Sequence, residues 1–482
     1  MGYFACMKRP SITTFFLLLS ASLLAQTSAF NVSQTSTMVE YRESFQMVPL
    51  TALGYGDFGP AELAMGGFDG TAVTASAEIG YEGWDGDAPY FWEETEPMGQ
   101  ARMDFQAEPS WSSAFDSPAV WVFGGFDGNY TLASTEVFVA SEESWQPGPD
   151  MLSPRTNHRS VLLNYDEVLI TGGFDGQGET ASCEVFNMVT QEFTQVAPMN
   201  VGRASHTLTS LGGDLFLATG GFNAAAGFQL ASCEVYDANA NTWTEIDPLP
   251  VPVDNHAATL VALSTQLPDV VMVTGGRVFN GDLNLFEGVA SGAMLNLADM
   301  TWTPFDMASP HSYHVSTHLD HAAPELFVMG GADQTGIGVE TTYGSTEWLL
   351  GTETQTWSPP VTTQNRHRAA GCETGTWIVG CYTVCGGDAA MEGTCFTVCP
   401  ETSSIDEPEA VAPEVGVYPN PAVGRSVIWS ANQRHEQGWT LHAGSGQAVR
   451  EGRGSTLDVS GLPRGGYLLK VAGLHAVHVV VR

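Results

Sequence analysis

Short apolar runs, each closed by two glycines, punctuate the chain: "AVWVFGG" at 119–125, "EVLITGG" at 167–173, "LFLATGG" at 215–221 and "LFVMGG" at 326–331. Runs this short, rich in aliphatic and aromatic residues and ended by chain-bending glycines, predict buried β-strands. Glycine at those points permits positive φ and close approach of a neighbouring backbone. The pairs stand at Gly66-Gly67, Gly124-Gly125, Gly172-Gly173, Gly220-Gly221, Gly275-Gly276 and Gly330-Gly331, with a weaker seventh at Gly386-Gly387. Their separations are 58, 48, 48, 55, 55 and 56 residues.

Other landmarks recur in step with the glycines. A small-small-Glu-apolar group supplies Glu78, Glu136, Glu184, Glu234 and Glu347, and an aromatic follows at Trp92, Trp145, Phe193, Trp243, Trp302 and Trp357. Beyond it come Arg102, Arg155 and Arg203, then His158, His206, His256 and His314. This order resembles the kelch repeat. The resemblance covers residues 42–400 and implies one four-stranded propeller blade per unit of about 50 residues. The expected fold class is all-β: a kelch-type β-propeller of seven blades, with six the alternative, followed by a small C-terminal β-sandwich.

A lone sheet leaves an apolar face uncovered, and a closed ring of sheets removes that problem together with the free edge. The last repeat lacks a fourth strand. Residues 42–48, with Phe45 in the tryptophan position, are expected to supply it and close the ring.

The formal net charge is −37, and residues 30–415 alone reach about −43, with eight arginines and no lysine. Such a surface repels a phosphate backbone, so nucleic acid is excluded as a partner class. Lys8 and Arg9 precede the apolar "ITTFFLLLSASLLA", which reads as an export signal over 1–29 with cleavage after Ala25 or Ala29. No other stretch is long and apolar enough to be a transmembrane segment.

Of eight cysteines, Cys381, Cys385, Cys395 and Cys399 lie in "CYTVC" and "CFTVC". One antiparallel register brings both pairs opposite each other, predicting disulfides Cys381–Cys399 and Cys385–Cys395 in an oxidising compartment. A four-thiolate zinc site is the rival. Cys183 and Cys233 are expected to be buried and unbonded, and Cys372 is left open.

After an acidic linker over 401–415, residues 416–482 carry Tyr418-Pro419-Asn420-Pro421, then "LPRGGYLLK" and a closing β-run. They resemble the C-terminal sorting domain of the type IX secretion system of Bacteroidota. That resemblance implies passage through the secretion machinery to the cell surface or medium.

Asp69, Asp127, Asp175 and Asn223 follow the glycine pairs at equivalent positions. They are candidate rim positions for a ligand or Ca²⁺, although Asp-Gly is also a tight-turn dipeptide. His311, His314, His318 and His321 form the best metal-like cluster, although in a strand 314 and 318 share one face while 311 and 321 fall on the other. A charged residue copied in every blade serves the blade rather than one catalytic centre, so Glu and Arg are read as ion pairs or backbone anchors. The chain is therefore expected to be a non-catalytic binding or adhesion scaffold for an extracellular protein or glycan, with no cofactor. The alternative is a carbohydrate-active or copper-radical oxidase-like enzyme, since kelch-like propellers include oxidases resembling galactose oxidase.

Overall fold

The computed structural model describes residues 30–50, 61–81, 91–112, 115, 117–261, 269–319 and 325–336 and, beyond these, Leu462 and the strands given below. Strand β1 (Phe30–Thr37) opens the described chain. Next comes an antiparallel meander of β2 (Gln46–Pro49), β3 (Ala61–Met65), β4 (Ala77–Tyr81) and β5 (Phe91–Thr95). The same order recurs in β6 (Gln106–Ser112), β7 (Ser117–Phe123), β8 (Thr135–Val139) and β9 (Ser144–Pro147). It returns in β10 (Arg159–Leu162), β11 (Glu167–Thr171), β12 (Cys183–Asn187) and β13 (Glu192–Val196). The fourth sheet runs β14 (Thr207–Gly212), β15 (Leu215–Thr219), β18 (Cys233–Asp237) and β19 (Thr242–Ile246), with a small hairpin, β16 (Phe222–Asn223) and β17 (Phe228–Gln229), between its middle strands.

Two larger sheets follow. One has seven strands: β20 (Ala257–Val261), β21 (Val270–Thr274), β22 (Arg277–Asn280), β23 (Leu285–Asn296), β24 (Thr301–His311), β27 (Ala332–Gly336) and β28 (Val339–Thr342). The other has five: β25 (Val315–Leu319), β26 (Glu325–Met329), β29 (Thr346–Gly351), β30 (Thr356–Trp357) and β31 (Val361–Thr362). The last ring sheet joins β32 (Ala370–Glu373), β33 (Tyr382–Cys385) and β34 (Thr394–Pro400) to β1. Five regular four-stranded blades are thus seen where seven were expected. The departure has a local cause: β23 outruns its sheet, and its first half pairs with β22 and β27. That hairpin also accounts for the longer spacing of 55 residues in this part of the sequence.

The first strands lie side by side, β2 by β6, β6 by β10, β10 by β14, β14 by β20 and β20 by β25; β33 lies beside β25 and β32 beside β2. All of β7 and β8 is buried, whereas the outer β13 has no fully buried residue, so only the middle strands read as unbroken apolar runs. The core lies between sheets, as where Leu63 and Ile79 meet Val120, Val122 and Phe138. Outer-strand aromatics seal the seams. The Trp243 indole donates to the Ala197 carbonyl at 2.9 Å and Trp302 donates to the Asp247 carbonyl at 2.8 Å, while Trp145 packs on Phe138 within its own sheet.

Closure borrows a strand from the start of the chain, but not from 42–48. Residues Phe30 to Thr37 pair with Pro400 to Thr394, whereas β2 is the inner strand of the first blade. Phe45 therefore leads into an inner strand and does not take the tryptophan position of an outer one. Within this last sheet Cys385 faces Cys395 and the two are disulfide-bonded. The bond packs in one cluster with Met38, Phe45, Met47, Ala64 and Trp92, at the seam between the ends of the ring. Cys381 lies outside the described residues, as do Pro419, Asn420, Pro421 and the signal region. Beyond the ring, β35 (Gly416–Tyr418), β36 (Arg425–Trp429), β37 (Gly438–Ala443), β38 (Ala448–Arg453), β39 (Thr456–Asp458), β40 (Gly465–Val471) and β41 (Val477–Val481) form a three-stranded and a four-stranded sheet.

Deleting residues 30–37 strips β34 of its outer partner and bares a long edge. The thermal midpoint of the deleted protein is expected to fall by more than about 5 °C, measured by circular dichroism. An unchanged midpoint contradicts closure by β1.

Candidate functional site

The repeat arginines sit in the linkers between sheets, and each joins two of them. The Arg155 carbonyl accepts from Gly125 at 2.8 Å and its N–H donates to Leu132, both in the second blade. Its side chain turns to the third blade: Nη1 donates to the carbonyls of Gly172 and Ser182 at 2.7 and 2.9 Å, and Nε pairs with Glu184 at 2.8 Å. Glu184 also accepts the linker N–H of Leu152. Arg102 with Glu136 (2.7 Å) and Arg203 with Glu234 (2.6 Å) join their sheets in the same way, pairing through Nη2 instead of Nε. Arg42 with Glu78 (2.5 Å) repeats the side-chain half of it. All four arginines are fully buried. A guanidinium fork suits this site because a point charge could not bridge two carbonyls and a carboxylate. The glycine pair is required for the same reason. Gly124 has φ +58°, and a Cβ there would lie 2.5 Å from the Arg155 carbonyl oxygen.

The pair is absent where both partners are absent. Val253 takes the arginine position and Ala293 the glutamate position, and a cavity of about 190 Å³ lined by both lies there. In the next linker His311 takes the arginine position, its Nδ1–H donating to the Gly330 carbonyl and its Nε2 accepting from Ser309.

Three residues beyond each arginine position stands Phe45, Phe105, His158, His206, His256 or His314. Three of the histidines hydrogen-bond through Nε2 to a threonine ending the second strand of the preceding sheet: His206 to Thr171, His256 to Thr219 and His314 to Thr274. His158 faces the blade whose equivalent residue is Phe123, and neither of its ring nitrogens has a partner among the described residues. Burial drives His158, His206 and His314 well below their ordinary value and brings His256 down to about 3. Cys183 and Cys233 are free and buried, and burial pushes both thiols up to about 12.

The loops at this end of the sheets form one face around the ring axis. Ser44, Asp104, Asn157, Ser205, Asn255 and Tyr313 all adopt left-handed φ of 50–56°. Each N–H from Asp104 onward donates to the carbonyl of the one before it, at 2.8–3.1 Å. All but Ser205 line a cavity of about 160 Å³ on this face that also holds Arg159. Further along the inner strands, burial pushes Glu108 up to about 7, opposed by the Ser160 hydroxyl that donates to it at 2.6 Å.

The loops after the glycine pairs lie on this same face, bridged to the linkers at Phe68, Phe126, Phe174, Phe222, Arg277 and Ala332. In the first three blades they are tight turns. Asp69 accepts the N–H groups of Thr71 and Ala72, Asp127 those of Asn129 and Tyr130, and Asp175 those of Gln177 and Gly178. These hydrogen bonds hold Asp69 and Asp127 below the usual carboxylate range, that from the Thr71 hydroxyl contributing most for Asp69 and that from the Tyr130 N–H for Asp127. Asn223 caps the turn Ala224–Ala226 and donates to the Gly202 carbonyl. The oxygens proposed for a ligand thus bind their own turns. In the next three sheets the loops lengthen into hairpins. Those of β16–β17 and β22–β23 carry Phe222, Phe228, Phe279 and Phe286 in ring contact at 4.7–6.3 Å. Phe228, Phe279 and Phe286 lie in insertions, where the repeat offers nothing to align, and so escaped the sequence reading; Phe222 stands at the repeat position of Phe68, Phe126 and Phe174. Of the histidine cluster, His311 and His314 lie with ring centroids 5.7 Å apart but bond to different sheets. No group of three or more His, Cys, Asp or Glu residues able to hold a metal occurs among the described residues.

Removing one member of a buried ion pair strands the other. Arg155→Met is expected to cost about 3–5 kcal/mol in chemical denaturation. The double change Arg155→Val with Glu184→Ala, which copies Val253 and Ala293, costs less than the single. A double variant as damaged as the sum of both singles contradicts this account. The histidines give a pH dependence. His256 binds its proton near 6.5 when unfolded and near 3 when folded, so its contribution is intact above 6.5 and is lost as pH falls through that window. His256→Phe, which copies Phe105, is expected to flatten the acid loss of stability by up to one proton, about 1.4 kcal/mol per pH unit. A slope equal to the parent's overturns it.

Residues 112–152 and 154–200, spanning the second and third blades, match the kelch motif family. No curated protein matches the chain. Among solved structures, a novel fungal alcohol oxidase with catalytic diversity among the AA5 family, in complex with copper, is 14% identical over 94% of this chain and 99% of its own, with a TM-score of 0.58. The structure of YjhT is 12% identical over 68% of this chain and 100% of its own, with a TM-score of 0.47. At these identities the oxidase likeness is one of fold. The chain carries kelch motifs in an all-β, kelch-type β-propeller arrangement.

Proposed function

We propose that the chain is an exported binding or adhesion scaffold that presents its loop face to an extracellular protein or glycan. One observation carries the reading: the recurring charged groups are committed to the fold, while the loops after the glycine pairs differ from blade to blade. A rigid ring with one variable face fits recognition. Export is the reading of Lys8, Arg9 and the apolar run after them, and type IX sorting that of Tyr418-Pro419-Asn420-Pro421 and the glycine-rich segment at 465–466. The sheets of β35–β41 are consistent with a small sorting sandwich. In this reading the two enlarged sheets complete a ring of seven.

The second reading, a copper-radical oxidase on the same scaffold, draws on the fold likeness to a copper-containing alcohol oxidase. One experiment separates them. The purified ring, screened against a glycan and matrix-protein array and assayed for peroxide after copper loading, is expected to retain an array component and to release no peroxide above background. Stoichiometric copper with peroxide release, and no array binding, overturns the scaffold reading.

A further inference from the structure

We infer that the cleft walled by Phe174, Phe222, Phe286, Glu179 and Arg277 is a binding site for a neutral sugar residue. The inference rests on the scaffold reading above and names its ligand class. The cleft lies between the third, fourth and fifth sheets and has a volume of about 280 Å³, just below the usual range for ligand sites and in keeping with a single small residue. Its aromatic wall combines two repeat positions, Phe174 and Phe222, with Phe286 from the lengthened β22–β23 hairpin. Phe222 and Phe286 stand 6.3 Å apart, and Phe279 and Phe228 pack behind them.

The support behind the wall is held under strain, at a residue that touches Phe222 but does not itself line the cleft. Phe228 has φ +86°, a region that bulky residues avoid, and it follows Gly227 at φ +98°. Strain of this kind persists where the surroundings enforce it and concentrates at binding sites. Here the Asn223 cap and the contact with Phe279 at 4.7 Å hold the residue in place.

Charge selects the ligand. A net of about −43 over residues 30–415 opposes an anion. A cation meets Arg277, which already lies 4.2 Å from the Phe286 centroid and pairs with Asp254 at 2.7 Å. A neutral pyranose meets neither obstacle. Its C–H face is weakly positive and suits the negative face of a phenyl ring. Its hydroxyls find the Glu179 carboxylate and the polar groups of Asn157 and Ser205, which also line the cleft.

The test is saturation-transfer NMR and calorimetry on the full chain. The neutral probes are cellobiose, maltose, mannobiose and lactose, with glucuronate and tetramethylammonium as charged ones. At least one neutral disaccharide is expected to bind in the millimolar range, and Phe286→Leu and Phe222→Leu to weaken it at least about tenfold. Both variants keep apolar volume, and unchanged thermal midpoints establish that they fold. No neutral binding at about 20 mM, unchanged binding in both variants, or preference for a charged probe overturns the inference. An array ligand retained by Phe286→Leu while the disaccharides fail sinks the cleft and leaves the scaffold reading standing. Disaccharide binding lost in that variant beside an empty array supports the cleft and sinks only the wider adhesion role.

Discussion

The ring depends on a buried guanidinium that belongs to two sheets at once. A charge can be taken out of water only if its hydrogen bonds and counter-charge are supplied. Arg102, Arg155 and Arg203 each receive both from the blade ahead while their backbones stay bonded to the blade behind. Satisfying the arginine therefore fixes how successive sheets meet. The exception follows the same rule: Val253 and Ala293 replace both members together, and no lone charge is left behind.

The histidine layer obeys a similar pairing. Histidine meets threonine across three seams, while Phe105 and Met65 share the apolar cluster of the first seam. His158 against Phe123 is the mismatch, a buried imidazole facing a blade that offers no hydroxyl. Closure draws on different means. There β1 adds backbone pairing to the last sheet, and the Cys385–Cys395 bond, Met38 and Trp92 fill the seam.

With the repeats committed to holding one another, freedom is left to the loops after the glycine pairs. Three are short because an aspartate closes them onto their own N–H groups. The later ones lengthen into hairpins whose aromatics stack without disturbing the sheets beneath. A symmetric frame thus carries an asymmetric face, and that asymmetry is what allows one region of the rim to differ chemically from the rest.

The recurring Gly-Gly, Glu, Trp, Arg and His positions were enough to determine an all-β ring, its repeat length and the structural role of its charges. Strand period, glycine conformation and the cost of burying charge are local or pairwise matters that a repeat spells out several times. The single register that sets Cys385 opposite Cys395 was legible for the same reason. Arg42 was missed because no readable glycine pair precedes it, and Phe45 was misplaced because two strands near the start of the chain compete for one closing role. Only the tertiary structure decided which strand closes the ring, that His311 replaces an arginine, and that Phe222, Phe228, Phe279 and Phe286 meet. These contacts join segments far apart in the chain and occur once, so no periodicity records them.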